Sequence, residues 1–513
     1  MALEYFIGVD SGTQGTRAVV VDGDSGEVVG KASVGYGLIE GLPEGHMEQH
    51  PSTWVEAMIK AIEGALKTSK VDRGDIRSIG VSGQQHGFVP LDGKGEVIRP
   101  AKLWNDTSTA KECEILIEAL GGVDSVISLI GNSIPPGFTA SKILGMKRHE
   151  PENFRKLRTV LLPHDYLNFY LTGGLSMEYG DASGTALMDV RRRGWSEEVV
   201  EVIDPGLMEK LPAIHPSDEA VGHVREKVCR RLGLKNDVLV SSGGGDNMMA
   251  AIGTGNTRPG IVTVSLGTSG TIYSYSRTPV VDGRGEIAAF CDSTNGWLPL
   301  ACTMNVTVST EAVRRMLGYS HRELEEAVEG VPPGSGGLIL LPYLTGERTP
   351  NVPHGTGVLF GLNERTFNGG NMARAAMEGA TMGLNYGLNR LRELGIDPKE
   401  VRLTGGGSRN AAWRRIAADV FNADVVTLRI EEGAAYGAAL QALWTYRGSM
   451  GEKAEISKIT DRFVEVDEDN RVEPNPANVE IYEELQTLQD SLSLDLRAAF
   501  EARSRLRRVN ALT

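Results

Sequence analysis

A chain of 513 residues is longer than one hydrophobic core ordinarily organises, which points to roughly two to four domains. With 41% hydrophobic and 23% charged residues it reads as globular rather than disordered. A formal net charge of −14 argues against a protein that tracks a nucleic-acid backbone, but a single nucleotide stays open, because local N–H groups and a metal ion can hold one polyphosphate.

The chain opens on an apolar run ending in Asp10, then Gly-Thr-Gln-Gly-Thr at 12–16, then a second apolar run to Asp22. That pattern predicts a β-hairpin whose glycine-rich turn offers small hydroxyls and backbone N–H groups to an anion. Residues 27–34 read as a third strand. Residues 51–66 have helical spacing, with Trp54, Met58, Ile62 and Ala65 on one face and Pro51 in the first turn. A short buried strand at 76–82 ends in Gly83-Gln84-Gln85-His86-Gly87, which completes an α/β unit. A polar loop at 103–109 leads into an amphipathic helix through Leu120, and 135–139 forms a rigid turn before a helix at 140–148. A strand at 160–162 feeds 163–167 and a short helix, and 181–185 reads as a small, hydroxyl-rich turn. The strand 238–240 runs out through Gly243-Gly244-Gly245 into Asp246-Asn247 and a helix at 248–252.

At about residue 257 a second lobe is expected, because 261–273 repeats the apolar run, Gly-Thr-x-Gly-Thr and apolar run of the first hairpin. An apolar stretch at 337–344 precedes a long helix at 372–394 with a small-residue stripe of Ala376, Ala380, Gly383 and Gly387. The strand 401–403 ends in Gly405-Gly406-Gly407, and Asn410 is placed to cap the helix bearing Trp413, Ile416 and Val420. Another helix of small residues spans 433–444. A helical tail from about 478 ends in a basic cluster, 503–509, read as a solvated helix end. The expected division is 1–256, 257–477 and a tail, 478–513. The four cysteines lack CxxC spacing or a tight cluster with histidine, so free thiols in a reducing compartment are expected rather than zinc. No apolar stretch approaches ~20 residues and the start shows no basic and apolar leader, so a cytoplasmic protein away from membranes is expected.

Asp246 is the main candidate for chemistry: a carboxylate after a strand end and three glycines can lie close to a substrate hydroxyl and accept its proton. The alternative role is an N-cap for the helix that follows, and both can hold together. Asp10 suits Mg²⁺, which keeps much of its water and takes one or two carboxylates; a plain strand-end turn is its alternative. Arg17 can reach a phosphate or form a surface ion pair. Gln85 and His86 can hydrogen-bond a polyhydroxylated ligand, or His86 can be a buried, satisfied histidine. P-loop, GxGxxG, protein-kinase and GxSxG signatures are missing, so any ATP site relies on hairpins and glycine turns.

A series of motifs over roughly 6–444 resembles the FGGY carbohydrate kinase family: GVDSGTQGTR, SGQQHG, LWNDTS, PPGFTASK, LLPHDYL, DASGT, GGGDN, VSLGTSG, YLTGERTP, LTGGGSRN and EEGAAYGAAL. GFTASK, LPHDYL and YLTGERTP are more similar to the family's xylulokinases than to its glycerol kinases. The resemblance implies two actin-like, ribonuclease-H-like α/β domains with a cleft between them, the first holding the sugar and the base, the second ATP. It implies ATP and Mg²⁺ as cofactors and phosphorylation of the terminal hydroxyl of a ketopentose, with D-xylulose expected and ribulose, another ketose or glycerol as alternatives. An actin-like ATPase switch is the rival from a different class, and an assembly of two copies is left open. By residue, the resemblance makes Asp246 the catalytic base and Asp10 the metal acid. Gln85, His86 and Asn247 fall to the sugar, and Thr13, Gln14 and Arg17 to the phosphate side. Gly267, Thr268, Gly405, Gly406 and Asn410 fall to the nucleotide. Some xylulokinases have Met before the histidine where Gln85 stands, and Lys where Arg17 stands.

Overall fold

Alternating apolar residues make the first hairpin: β1 (Tyr5–Ser11) pairs antiparallel with β2 (Gly15–Asp22), and β2 with β3 (Val28–Gly35). The computed structural model describes residues 3–430 and 432–510, so Glu431, the first residue of the EEGAAYGAAL motif, lies outside the described residues. On its other side β1 pairs parallel with β4 (Ile76–Gly83). Next to β4 lies β6 (Leu239–Ser241), also parallel, and β5 (Ala220–His223) closes the edge antiparallel. A two-residue strand, β7 (Gly244–Gly245), pairs with the end of β4. The helix Pro51–Ser69 covers one face of this sheet, with Trp54, Met58, Ile59 and Ile62 fully buried. Each such side chain contributes about 1.5–3 kcal/mol of transfer free energy against an unfolded chain.

The other face takes the helix Gly433–Ser449, and glycines permit the approach. A Cβ on Gly8 of β1 would lie 1.9 Å from the Ala435 carbonyl oxygen. The same helix meets Asp246–Gly253, where a Cβ on Gly437 would lie 1.8 Å from the Met249 carbonyl oxygen. These contacts place the helix in the first of two units, which comprises Met1–Arg258, Tyr275–Leu298 and Glu432–Glu465. Two stretches that a continuous division gives to the second domain therefore pack with the first.

The second unit comprises Pro259–Ser274, Pro299–Glu431 and Val466–Thr513. Its hairpin is β8 (Ile261–Leu266) with β9 (Gly270–Ser274), and β9 pairs antiparallel with β10 (Trp297–Thr303). From β8 the sheet continues through parallel β11 (Glu400–Thr404) and β12 (Asp424–Leu428) to antiparallel β13 (Val466–Val472). Apart from a further strand, Ala288–Cys291, beside β10, this is the order and polarity of the first sheet: hairpin, third antiparallel strand, two parallel neighbours, antiparallel edge. The repeat seen in the two Gly-Thr turns thus extends to a whole sheet topology.

The helix Gly369–Glu393 packs across the second unit. Gly379 and Gly387 make its close approaches, 2.0 Å from the Leu340 carbonyl oxygen and 2.7 Å from the Ala301 Cβ for an added Cβ, whereas Gly383 faces open space. The stripe expected from sequence is therefore displaced towards Gly379. Another expectation is corrected at 181–185: these residues end the helix Tyr179–Ala182 and form a 3-10 turn, all buried. The Glu178 carboxylate accepts from the N–H groups of Gly180 and Asp181 and starts that helix. The tail forms the helices Pro476–Asp495 and Arg497–Asn510. Among the described residues no helix is long and apolar enough to cross a membrane, and Cys113, Cys229, Cys291 and Cys302 are all free.

Candidate active site

Three strand ends build the centre of the first unit. In register, Ser82 of β4 lies beside Asp10 of β1 on one side and Gly244 of β7 on the other, and Asp246 follows at the start of its helix. The Ser82 hydroxyl donates to Asp10 Oδ1 at 2.8 Å. Burial pushes the Asp10 carboxyl up, with the Ser82 bond and the Arg17 charge opposing and the Glu432 charge adding to it. Asp246 is raised to about 7, first by burial and then by the Asp10 and Asp181 charges, with the bonds from Asn247 opposing. Its Oδ1 accepts from the Asn247 N–H at 2.8 Å and from Asn247 Nδ2 at 3.0 Å. A capping carboxylate bonds the second or third helical N–H; here the cap position is Gly245, without a side-chain bond. Asp246 is the first residue of the helix rather than its cap, and its Oδ1 satisfies the N–H of the second residue, Asn247.

Gln85 and His86 lie alongside. Gln85 Oε1 accepts from Asn247 Nδ2 at 2.8 Å, while its buried Nε2 has no partner among the described residues. A buried amide donor of this kind calls for a hydroxyl acceptor. His86 has a left-handed backbone, φ +61°, and its ring stacks on Phe138 with centroids 4.3 Å apart and Phe290 at 5.6 Å. Thus Asp10, Gln85, His86, Asp246 and Asn247, spread over some half of the sequence, are held by adjoining elements of one unit.

The first hairpin joins them through Gln84. Thr13 Oγ1 donates to Gln84 Oε1 at 3.1 Å and accepts from Trp104 Nε1 at 3.0 Å, and Gln84 Nε2 donates to Gln49 Oε1 at 3.0 Å. Gln14 is exposed, and its carbonyl accepts from the Tyr36 N–H. Arg17 is exposed and pairs with Glu432 at 3.4 Å.

In the second unit the parallel register of β8 with β11 brings the two glycine turns together. Gly405, at φ +81°, sits so tightly on the β8 end that a Cβ would lie 2.8 Å from the Leu266 carbonyl oxygen and 3.2 Å from the Gly267 nitrogen. Thr268 and Gly406 are exposed there. The Gly267 and Thr268 carbonyls accept from the first N–H groups of the helix Thr307–Leu317, which fixes the turn. Asn410 Oδ1 accepts from the Trp413 N–H at 2.8 Å and so caps its helix.

Several supporting residues have no local signal in the sequence. Gln441, on the helix Gly433–Ser449, bonds Gly243 through both its N–H and its carbonyl and also bonds Ser241, which fixes the glycine loop ahead of Asp246. Behind the loop, His164 Nδ1 and Asp181 Oδ2 are 2.7 Å apart, and Asp165 pairs with His164 Nε2 at 3.0 Å. Burial works against the His164 imidazolium, and the two carboxylates more than offset it, holding it up at about 9. Only the apolar-polar run LPHDYL marked this stretch, and it does not say which side chain faces the site.

The donor set fits Mg²⁺. Asp10 keeps one oxygen beyond its bond from Ser82, and its charge raises the proton affinity of Asp246, so a hard cation there would relieve the charge between the two carboxylates.

Matched sheets, a buried carboxylate bonded to the Asn247–Gln85 amide pair, and paired glycine turns fit a two-unit phosphate-handling enzyme. Residues 5–253 match the N-terminal domain, and 262–446 the C-terminal domain, of the FGGY family of carbohydrate kinases. A xylulose kinase from Haemophilus influenzae is 42% identical over 486 residues, 93% of this chain and 97% of that protein. Among solved structures, a xyloylose kinase from Brucella ovis matches with a TM-score of 0.90 at 30% identity, covering 97% of this chain and 100% of that one. A gluconate kinase from Lactobacillus acidophilus matches with the same TM-score at 25% identity, covering 98% and 99%. The chain belongs to the FGGY family of carbohydrate kinases.

Proposed function

We propose that this kinase transfers the γ-phosphate of ATP to the terminal hydroxyl of D-xylulose. The carrying observation is Asp246: a carboxyl raised to about 7, at the first position of its helix and beside the Asn247–Gln85 pair. A base of that strength suits proton removal from an alcohol near neutral pH, where it is half ionised and still a good acceptor. The 42% identity to a xylulose kinase favours a ketopentose, while the gluconate kinase likeness shows that the same fold serves other sugars.

Gln85 and His86 bind and orient the sugar, with Gln85 Nε2 and the His86 ring as its polar contacts, and Asn247 keeps Asp246 aligned. The hydroxyl gives its proton to Asp246 as its oxygen attacks phosphorus in line. Asp10 is the residue that would hold Mg²⁺, which when bound supplies charge neutralisation for the phosphates. The second unit holds the nucleotide through Gly267, Thr268, Gly405, Gly406 and the Asn410 amide, and Thr13 and Gln14 face phosphate from the first hairpin. Arg17, paired with Glu432, contributes to the phosphate side through its charge. Four free thiols support a reducing compartment such as the cytoplasm.

The test is sugar-dependent ADP release across pentuloses, hexuloses, gluconate and polyols, with Mg²⁺ present. The expected result is that D-xylulose gives the highest kcat/KM. A higher value for D-ribulose, gluconate or glycerol reassigns the substrate, and ADP release indifferent to any sugar points instead to an ATPase switch.

A further inference from the structure

Lys142, in the first unit, is fully buried, with a relative exposure of 0%, and no role above uses it. It lies in the first turn of the helix Thr139–His149. Its Nζ donates to the His86 carbonyl at 2.7 Å and to the Gly137 carbonyl at 2.5 Å, and Thr139 Oγ1 adds a bond to the His86 carbonyl at 3.2 Å. Gly137 precedes Phe138, whose ring stacks on His86. One amine thus ties together the two loops whose side chains meet face to face.

His86 needs such a tie. It is a branched, non-glycine residue at φ +61°, a conformation that L-residues adopt at a cost unless their surroundings hold them there. Its N–H is held by the Asp181 carboxylate and its C=O by Lys142, so both sides of the residue are clamped by buried polar groups. The ring is boxed as well: a Cβ on Gly184 would lie 2.3 Å from His86 Cε1. We propose that Lys142 is a positioning residue for sugar recognition, clamping the His86 and Gly137 carbonyls so that the His86 ring is presented to the substrate in one fixed orientation. Burial lowers the Lys142 ammonium to about 7, with Asp106 opposing. Ammonium and amine both carry enough N–H groups for the two carbonyls, so the clamp holds in either protonation state.

This assignment rests on the reading of Gln85 and His86 as the sugar site, and wild-type ADP release with D-xylulose tests that reading first. Lys142→Met keeps the apolar stem and removes the donors. Gly184→Ala changes no charge and presses a methyl group on the His86 ring, so it supplies the same test should Lys142→Met not fold. For both variants the expected result is a sugar KM raised about tenfold or more, with kcat within about threefold and the ATP KM unchanged. An unchanged sugar KM in an active variant overturns the clamp while leaving the kinase reading intact. Parallel loss of kcat, both KM values and melting temperature overturns it in favour of a purely structural lysine. Wild-type protein that releases no ADP with any sugar overturns the kinase reading and the clamp together.

Discussion

At Asp246 the burial that makes a base also costs stability. Its carboxyl titrates at about 7 in the fold against 3.8 in the unfolded chain, first because of burial and then because of Asp10 and Asp181. A raised carboxyl holds its proton longer in the folded state, so as pH climbs from 3.8 the unfolded chain ionises first and the fold loses stability, until the penalty is complete above about 7. Asp246→Asn removes that penalty. It is expected to unfold at higher urea than the wild type at about pH 8, by roughly 1–4 kcal/mol, with the gap closing towards about pH 4. Urea midpoints at several pH values check it. Asp10 and Asp246 were picked out in the sequence because the first ends an apolar run beside glycines and the second follows a strand and three glycines. Lys142, His164, Asp181 and Gln441 were not, because a buried polar residue is recognised by what it touches across space. Lys142 and Gln441 reach partners 56 and 198 residues away.

Among elements, the paired glycine turns of the second unit carry a sharper demand than the first hairpin. Gly405 combines φ +81° with contact to the Leu266 carbonyl, so a methyl group there meets backbone that cannot move aside without shifting β8. Gly405→Ala is expected to raise the ATP KM about tenfold or more while changing the sugar KM less than about twofold. Initial-rate kinetics with each substrate varied separately check this. Helices and central strands were read close to their observed bounds, since their apolar periodicity is strong: Pro51–Ser69 and Ile76–Gly83 are examples. The edge strand Val466–Val472 escaped because its sequence, VDEDNRV, is charged throughout, as solvent-facing edges are. The 181–185 stretch was read as a turn because small hydroxyl residues favour turns, and Glu178 capping overrides that preference.

For the whole molecule, the repeated Gly-Thr turn is the visible trace of a repeated sheet. Both sheets run hairpin, third strand, two parallel strands and antiparallel edge, so the same topology recurs in both units with different residues at the equivalent strand ends. At the end of its leading strand the first carries Asp10, and where β1 meets β4 it gains Ser82. At the matching register the second carries Ser265 beside Thr404 of β11, without an acid. What the sequence could not give is the discontinuity: Glu432–Glu465 returns to the first unit, and glycines such as Gly437 let its helix lie against the one that begins with Asp246. The base is therefore held by chain from both ends of the sequence. The most direct measurement is sugar-phosphate formation by Asp246→Asn with saturating ATP, Mg²⁺ and D-xylulose, with sugar binding followed calorimetrically in the same preparation. Turnover lower by about 10²–10⁴-fold with sugar affinity retained is expected of a general base, whereas turnover within about tenfold of wild type would contradict the assignment of Asp246 as the group that takes the proton.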